Sequence, residues 1–357
     1  MKQNAKTYVS TIVENLLPYT WEEVPVGKTY RFDMNTLPFI PPSFALFLKK
    51  MKQNSCINEY EDPKSSALKK IIAQYEKIDP CMITVTNSAD EGIDVLAKTF
   101  LNPGDICITT PPTYEMFRIQ CTLNRGIVCE IPLSVKTFAV DEDRLISTSK
   151  INNVKIMFLV NPNNPTGTII PPKNLETIIQ KANCIVVVDE VYREFYGKSV
   201  VPLIATYQNL VVLRSFSKFA GIAGARVGYL VASEKLSSIF EQVKLPMGVS
   251  SMSAKLAETV LICDQRWITK QVKSIVIERE KMTQTIRDLG VTVIPSCANF
   301  ILMQCGKRAS ILCEKLRCNG ILVRDLSQKK YLEGYVRLTI RSPKENRLLI
   351  QALKEIL

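Results

Sequence analysis

From Ile83 to Ala232 the chain alternates short, wholly apolar runs with helix-length amphipathic stretches, and this alternation restricts its fold more than any other feature. Ile83-Thr84-Val85 leads into a helical stretch from Ala89 to Phe100, and Asn102-Pro103-Gly104-Asp105 reads as a turn before the strand Ile106-Cys107-Ile108. Ile127-Val128, Lys155 to Val160, Cys184 to Val188, Leu210 to Leu213 and Val227 to Ala232 follow as strands. Apolar strands separated by helices imply an α/β fold, with a mainly parallel sheet covered on both faces. Ligands of such sheets sit beyond the carboxyl ends of the strands, where the polar clusters of this chain fall.

After about Lys244 the pattern changes. Ser250 to Leu289 is helical with no strand signal. Val291 to Val293, Asn299 to Cys305, Ile321 to Val323 and Tyr335 to Ile340 then read as strands, with a helix over Lys307 to Cys318 and another at the C-terminus. This is a smaller α+β module beside the large sheet domain.

Composition narrows the chemistry. The chain has no His, so a Ser-His-Asp triad, a Cys-His pair and a His-based metal site are all excluded. Acid–base work falls to Lys, carboxylates, Tyr or Cys. No metal site is expected. The net charge is +12, but the basic residues are spread along the chain with no long block of them, so anionic small molecules fit better than nucleic acid. The 11 Cys form no CxxC pair and are expected to be reduced thiols. No apolar run is long enough to span a membrane, and Met1 to Asn15 has no apolar signal core, so a cytoplasmic location is expected.

Several motifs carry chemistry. Ser215-Phe216-Ser217-Lys218 closes a strand, and Gly221, Gly224, Arg226 and Gly228 follow. A Lys alone is mostly a solvated charge. Here glycines allow close backbone approach, and hydroxyls with an Arg fork suit a phosphate dianion. A Lys amine of lowered pKa forms imines with carbonyl cofactors, and phosphate ligands beside it describe pyridoxal phosphate. Asp189 ends a fully apolar strand, where a carboxylate needs a partner such as a protonated pyridine nitrogen; a helix N-cap is the simpler alternative. Tyr192 could reach the ring's phenolic oxygen. Asn161-Pro162-Asn163-Asn164-Pro165-Thr166-Gly167 is a tight turn that would fix an Asn amide rigidly. Ser88-Ala89-Asp90-Glu91-Gly92 opens a helix whose free amides suit phosphate. Tyr114, in a proline turn, could lie on the pyridine face. Arg337, in an apolar strand, is expensive unless it binds an anion.

Together these motifs resemble the fold-type-I aminotransferases, and within them the histidinol-phosphate aminotransferase branch, from about Asn35 to Pro343. The resemblance implies a PLP-dependent transferase with an N-terminal segment (1–40) on the small domain, a large cofactor domain (41–245) and a small C-terminal domain (246–357). It implies Lys218 as imine lysine and proton shuttle, Asp189 on the pyridine nitrogen, and Asn164 with Tyr192 on the phenolic oxygen. Tyr114 stacks on the ring. Ser215, Ser217, Arg226, Ala89 and Asp90 form the phosphate cup, the last two through backbone amides. Tyr60 resembles the tyrosine that reaches the neighbouring subunit's cofactor, so a homodimer is implied. Arg337, Arg324 and Asn35 fall on the substrate side. The substrates implied are an amino donor, amino acid or amino-alcohol phosphate, and a 2-oxoacid.

Departures cluster at the substrate end. The usual Asn-Glu-Asn-Pro reads Asn35-Thr36-Leu37-Pro38, and a Pro-Tyr pair reads Pro246-Met247. Ser88 stands where the family prefers Gly. Arg341 also replaces a common Gly and is expected to add a cation near the pocket. The nearest alternative keeps the cofactor but runs decarboxylation, cyclisation or oxidation. A non-catalytic regulator would be expected to lack Lys218, and a nicotinamide dehydrogenase would need a GxGxxG after an early strand, which is absent.

Overall fold

A computed structural model describes residues 8–14, 16–24, 27–54 and 58–357. The first strand, β1 (Tyr30–Phe32), is followed by the helices Phe44–Asn54 and Ser66–Glu76. Seven strands then form the large sheet: β2 (Ile83–Asn87), β3 (Ile106–Thr109), β4 (Ile127–Glu130), β5 (Val154–Val160), β6 (Ile185–Asp189), β7 (Leu210–Ser215) and β8 (Val227–Val231). Their spatial order is β2-β8-β7-β6-β5-β3-β4. Only β8 runs against the rest, antiparallel to both β2 and β7. A parallel return requires a crossover, usually a helix. Residues 216–226, between β7 and β8, hold only the short 3-10 turn Ala223–Ala225, so the chain reverses there instead.

The interior strands are buried on both sides because helices cover both faces. Side chains alternate along them with period two. Val186, Val188 and Val212 therefore enter one apolar core, and Val187, Val211 and Leu213 the other. Each such buried side chain contributes about 1.5–3 kcal/mol relative to exposure. The runs between Ile83 and Ala232 that read as strands all become strands of this sheet.

The second sheet contains β9 (Thr292–Ile294), β10 (Phe300–Gln304), β11 (Ile321–Asp325) and β12 (Tyr335–Thr339), in the order β1-β11-β12-β10-β9. β1 pairs parallel with β11, Tyr30 against Ile321. Three residues carry no usable periodicity, so nothing local marks β1 as a strand. The helical region read over 250–289 is two helices, Ser251–Cys263 and Gln265–Asp288. Asp264 lies between them, and its carboxylate accepts the Ser43 hydroxyl at 2.5 Å.

Candidate active site

The carboxyl edges of β5, β6 and β7 are adjacent, with Val160 paired to Asp189 and Asp189 to Leu213. Three turns therefore meet at this edge: Asn161 to Gly167, Asp189 to Tyr192, and Ser215 to Lys218. The helix Ser88–Phe100 begins beside them, after β2. A cavity of about 330 Å³ opens between this edge and the small sheet.

Every residue given a cofactor or substrate role from the sequence lines this cavity except Tyr60. Tyr60 lies outside it, 85% exposed. The cavity also gathers residues that sequence reasoning did not assign: Tyr19, Trp21, Asp33 and Met34 from the N-terminal segment, Ser88, and the apolar Val160 and Val191. Tyr19 and Trp21 sit in a stretch with neither helical nor strand period, so only their aromatic character could have drawn notice.

Asp189 is 3% exposed. One oxygen accepts the Val191 N–H at 3.0 Å, which caps the turn. No other hydrogen bond to this carboxylate occurs among the described residues. Burial pushes its pKa up to about 7. A buried acid with an unused oxygen at a cavity wall is a fitting partner for a protonated ring nitrogen. Lys218 donates from Nζ to the Met34 carbonyl at 3.3 Å. Burial, and next the Arg337 cation, pull the Lys218 amine down to about 8. A neutral amine is a nucleophile and a base, and an ordinary lysine is neither at neutral pH.

The Tyr192 hydroxyl accepts from Asn35 Nδ2 at 3.1 Å, so its own proton is available to a ligand oxygen. Burial pushes its pKa up to about 12, which keeps that proton in place. The Asn164 side-chain oxygen accepts from Arg337 Nη1 at 2.6 Å, which leaves its NH₂ as a donor to the cavity. Arg337 Nη2 donates to the Asp33 carbonyl at 2.5 Å, while its buried Nε has no partner among the described residues.

At the opposite end, Ser215 Oγ donates to Ser217 Oγ at 3.0 Å. Arg226 pairs with Asp90 at 2.6 Å and donates to Ser88 Oγ at 2.7 Å. Tyr114 donates its hydroxyl to the other Asp90 oxygen at 2.9 Å. Gly228 lies under this corner. A Cβ there would stand 2.5 Å from the Ser88 carbonyl carbon and 2.7 Å from the Ala89 nitrogen, so only glycine fits. The hydroxyls, the guanidinium and the helix start form a cup suited to a phosphate dianion. Acid, lysine, amide, phenol and cup line one cavity, and their chemistry fits pyridoxal phosphate.

A buried ionic group supports both turns from behind. Arg214, between Leu213 and Ser215, donates to Glu76 Oε1 at 2.7 Å and to Glu194 Oε1 at 3.0 Å. Its Nη1 reaches the Glu190 carbonyl at 3.1 Å. The Glu190 carboxylate accepts from Ser199 and from the Val200 N–H, at 2.6 and 2.7 Å. The Asp189 turn and the Ser215 turn are thus tied together through residues that face away from the cavity.

The substrate end corrects one expectation. Arg341 does not line the cavity. It pairs with Glu345 at 2.9 Å and donates to the Arg31 carbonyl at 3.0 Å, because it lies beyond the end of β12, over the C-terminal helix Pro343–Ile356. Arg324 does line the cavity, donating to the Thr20 carbonyl at 2.6 Å with Glu22 at 3.6 Å. Met247 does not line it. A neighbouring cleft of about 480 Å³ shares Tyr19, Tyr114, Asn164, Arg324 and Arg337 with the cavity, and leads out past Arg118 and Lys329.

The sequence matches the family Aminotransferase class I and II over residues 29–353. The chain belongs to this family. The histidinol-phosphate aminotransferase of Thermoanaerobacter pseudethanolicus is 38% identical over 340 residues, 94% of this chain and 95% of that protein. The histidinol-phosphate aminotransferase of Caldanaerobacter subterraneus subsp. tengcongensis is 35% identical over 356 residues, 97% of this chain and 100% of its own length. Among solved structures, the histidinol-phosphate aminotransferase of Sinorhizobium meliloti in complex with pyridoxal-5'-phosphate shares the fold with a TM-score of 0.86, at 24% identity and over 98% of this chain and 97% of that one. This aminotransferase therefore has the fold-type-I architecture, activity class and pyridoxal-phosphate cofactor that its motifs imply. Dehydrogenase and regulator readings fall away. No helix among its described residues is long and apolar enough to cross a membrane, and no group of three or more metal-ligating side chains occurs among them. All described cysteines are free thiols.

Proposed function

We propose that this aminotransferase moves an amino group from an anionic donor, of the amino-acid or histidinol-phosphate type, to a 2-oxoacid. The observation that carries the proposal is the meeting of Lys218 and Asp189 in one cavity with Arg337, whose Nε is buried and unpartnered among the described residues. Donors of the amino-alcohol phosphate type are favoured because Arg324, Arg337 and Lys329 make the substrate side cationic, and because the relatives carry that activity in their names.

Pyridoxal phosphate held in this cavity would supply an electron sink for the donor's reacting carbon. Asp189 keeps the ring nitrogen protonated. Asn164 and Tyr192 would hold the cofactor's phenolic oxygen, and Tyr114 would lie against its ring. Ser215, Ser217, Arg226 and the amides of Ala89 and Asp90 anchor the phosphate. Lys218 would hold the cofactor's carbonyl carbon and would carry a proton at Nζ between donor and cofactor; its lowered pKa suits both taking and giving that proton. Arg337 and Arg324 hold the substrate's anionic groups, with Asn35 ordering the N-terminal side.

Tyr60, exposed and outside its own cavity, serves the site of a second copy, so the working unit is a homodimer in the cytoplasm. Residues 41–245 form the large cofactor-binding domain and 246–357 the small domain, on which the N-terminal segment 1–40 packs.

The test is a half-reaction screen. Purified holoenzyme is mixed with histidinol phosphate, with unphosphorylated histidinol and with common amino acids, and the cofactor absorbance is followed. Phosphorylated or dicarboxylic donors are expected to convert the cofactor to its amine form with the highest kcat/KM. Equal conversion of neutral and anionic donors would sink the anionic assignment. Release of carbon dioxide instead of a keto product would replace amino transfer with decarboxylation.

A further inference from the structure

We propose that Ser88 is a positioning residue of the phosphate cup, retained in a backbone conformation that favours glycine because its hydroxyl sets the Arg226–Asp90 pair for an incoming phosphate. The proposal rests on the reading of this corner as the phosphate end of the cofactor site.

Ser88 is the first residue of the helix Ser88–Phe100, and its φ is +64°. An L side chain in this left-handed region crowds its own carbonyl, so glycine is the inexpensive choice. The surroundings enforce the conformation. The Ser88 carbonyl and Ala89 nitrogen press on Gly228 so closely that no Cβ fits between them. A strained non-glycine residue at a site edge invites a functional explanation, and the side chain supplies one.

Ser88 is 2% exposed. Its Oγ accepts from Arg226 Nη2 at 2.7 Å and from the Asp90 N–H at 3.2 Å, and donates to Asp90 Oδ2 at 3.1 Å. The hydroxyl therefore stands at the centre of the ion pair. Asp90 presents a like charge close to where a phosphate dianion would sit, which repels it. Two hydroxyls blunt that repulsion, Tyr114 on Oδ1 and Ser88 on Oδ2. Arg226, itself left-handed at φ +54°, is held by Ser88 at one nitrogen and keeps other donors for the phosphate. Without the hydroxyl the guanidinium would lean wholly on Asp90, and part of its charge would be spent there.

The test compares pyridoxal phosphate with unphosphorylated pyridoxal. Dissociation constants of both are measured for the parent, Ser88→Gly and Ser88→Ala, starting from cofactor-free protein. Both variants are expected to bind pyridoxal phosphate about tenfold more weakly, as loss of one charge-assisted hydrogen bond implies, while pyridoxal binding is unchanged. Ser88→Gly, free of the left-handed penalty, is expected to melt above Ser88→Ala. Unchanged pyridoxal-phosphate binding in both variants would overturn the proposal. So would an equal loss for both ligands, which would mark a general effect on the fold. Arg226→Ala is the control for the underlying site. If it too leaves the preference for the phosphorylated ligand intact, the cup itself has been misplaced, which is a failure separate from that of Ser88.

Discussion

Arg337 Nη1 donates to the side-chain oxygen of Asn164 across 2.6 Å, joining β12 of the small sheet to the turn after β5 of the large one. This single contact ties the arginine proposed for the substrate to the amide proposed for the cofactor. It aims the Asn164 amide at the cavity while leaving Arg337 Nε for an anion. Arg337→Ala is therefore expected to raise KM for donor and acceptor alike, since both use the pocket in turn, and to lower kcat/KM by about a hundredfold. The cofactor's absorption maximum is also expected to move, because Asn164 loses its orienting partner. Parent-like kinetics for anionic donors, at fixed ionic strength, would place the substrate pocket elsewhere.

Lys218→Ala is expected to abolish turnover while leaving part of the cofactor bound through the phosphate cup. Borohydride should fix the cofactor to the parent protein at Lys218, detected as a mass increase on the peptide that contains it. The variant should show no such adduct. Normal activity in the variant would remove the basis of the whole reading.

The large sheet and the turn residues that line the cavity beyond it were legible in the sequence because both depend on local signals. Val186 to Val188 and Val211 to Leu213 advertise buried strands by composition alone, and the turn residues following them are short and chemically unusual. Ser215 and Lys218 reach the cavity through the turn that follows their own strand. Arg341 was misread because position in sequence does not fix direction. It stands two residues past Thr339, where β12 ends, and turns to the carboxylate of Glu345, one turn into the next helix. Glu76 was invisible for a similar reason. It closes the helix Ser66–Glu76, yet its charge is meaningful only against Arg193 and Arg214, which lie 117 and 138 residues away in sequence.

The Glu76 carboxylate gives a stability prediction. Its Oε1 accepts from Arg214, from Arg193 at 3.1 Å and from the Tyr229 hydroxyl at 2.5 Å. Both Glu76 and Arg214 are almost fully buried. Glu76→Ala would leave Arg214 short of a counter-charge away from water, so a loss of about 3–5 kcal/mol is expected. Tyr229→Phe removes one hydroxyl, which donates to Glu76 and accepts from Arg214 Nε at 3.4 Å, and should cost about 1 kcal/mol. Urea unfolding of the two variants measures both. A smaller loss for Glu76→Ala than for Tyr229→Phe would show that Glu190 and Glu194 alone suffice for Arg214.

Arg341→Gly is expected to leave substrate preference unchanged and to cost about 1 kcal/mol, the scale of a part-buried ion pair together with the Arg31 carbonyl contact. Ratios of kcat/KM across phosphorylated and dicarboxylic donors are the measurement. A change in those ratios larger than the change in melting temperature can explain would return Arg341 to the pocket.

Asp189 makes the folded protein pH-sensitive in a direction opposite to that of most carboxylates. Burial raises its pKa from the usual value near 4 to about 7 in the cofactor-free protein, with Asp90 and Glu190 adding to the rise and Lys218 opposing it. In the unfolded chain the group loses its proton near pH 4. Between about pH 4 and pH 7 the folded state thus holds a proton that the unfolded state has released. Stability must fall as pH rises through that window, and this group adds no further slope above it. Three pH units correspond to about 4 kcal/mol. Asp189→Asn removes the ionisation, so the cofactor-free variant should gain on the parent by roughly this amount between pH 4 and pH 7, in urea midpoints measured side by side so that the other carboxylates cancel. Function should move the other way. Without an anion opposite the ring nitrogen, Asp189→Ala is expected to lose several powers of ten in the chemical step. A loss below about tenfold, together with a pH-independent stability difference, would reduce Asp189 to a cap on the Val191 N–H, worth about 1 kcal/mol.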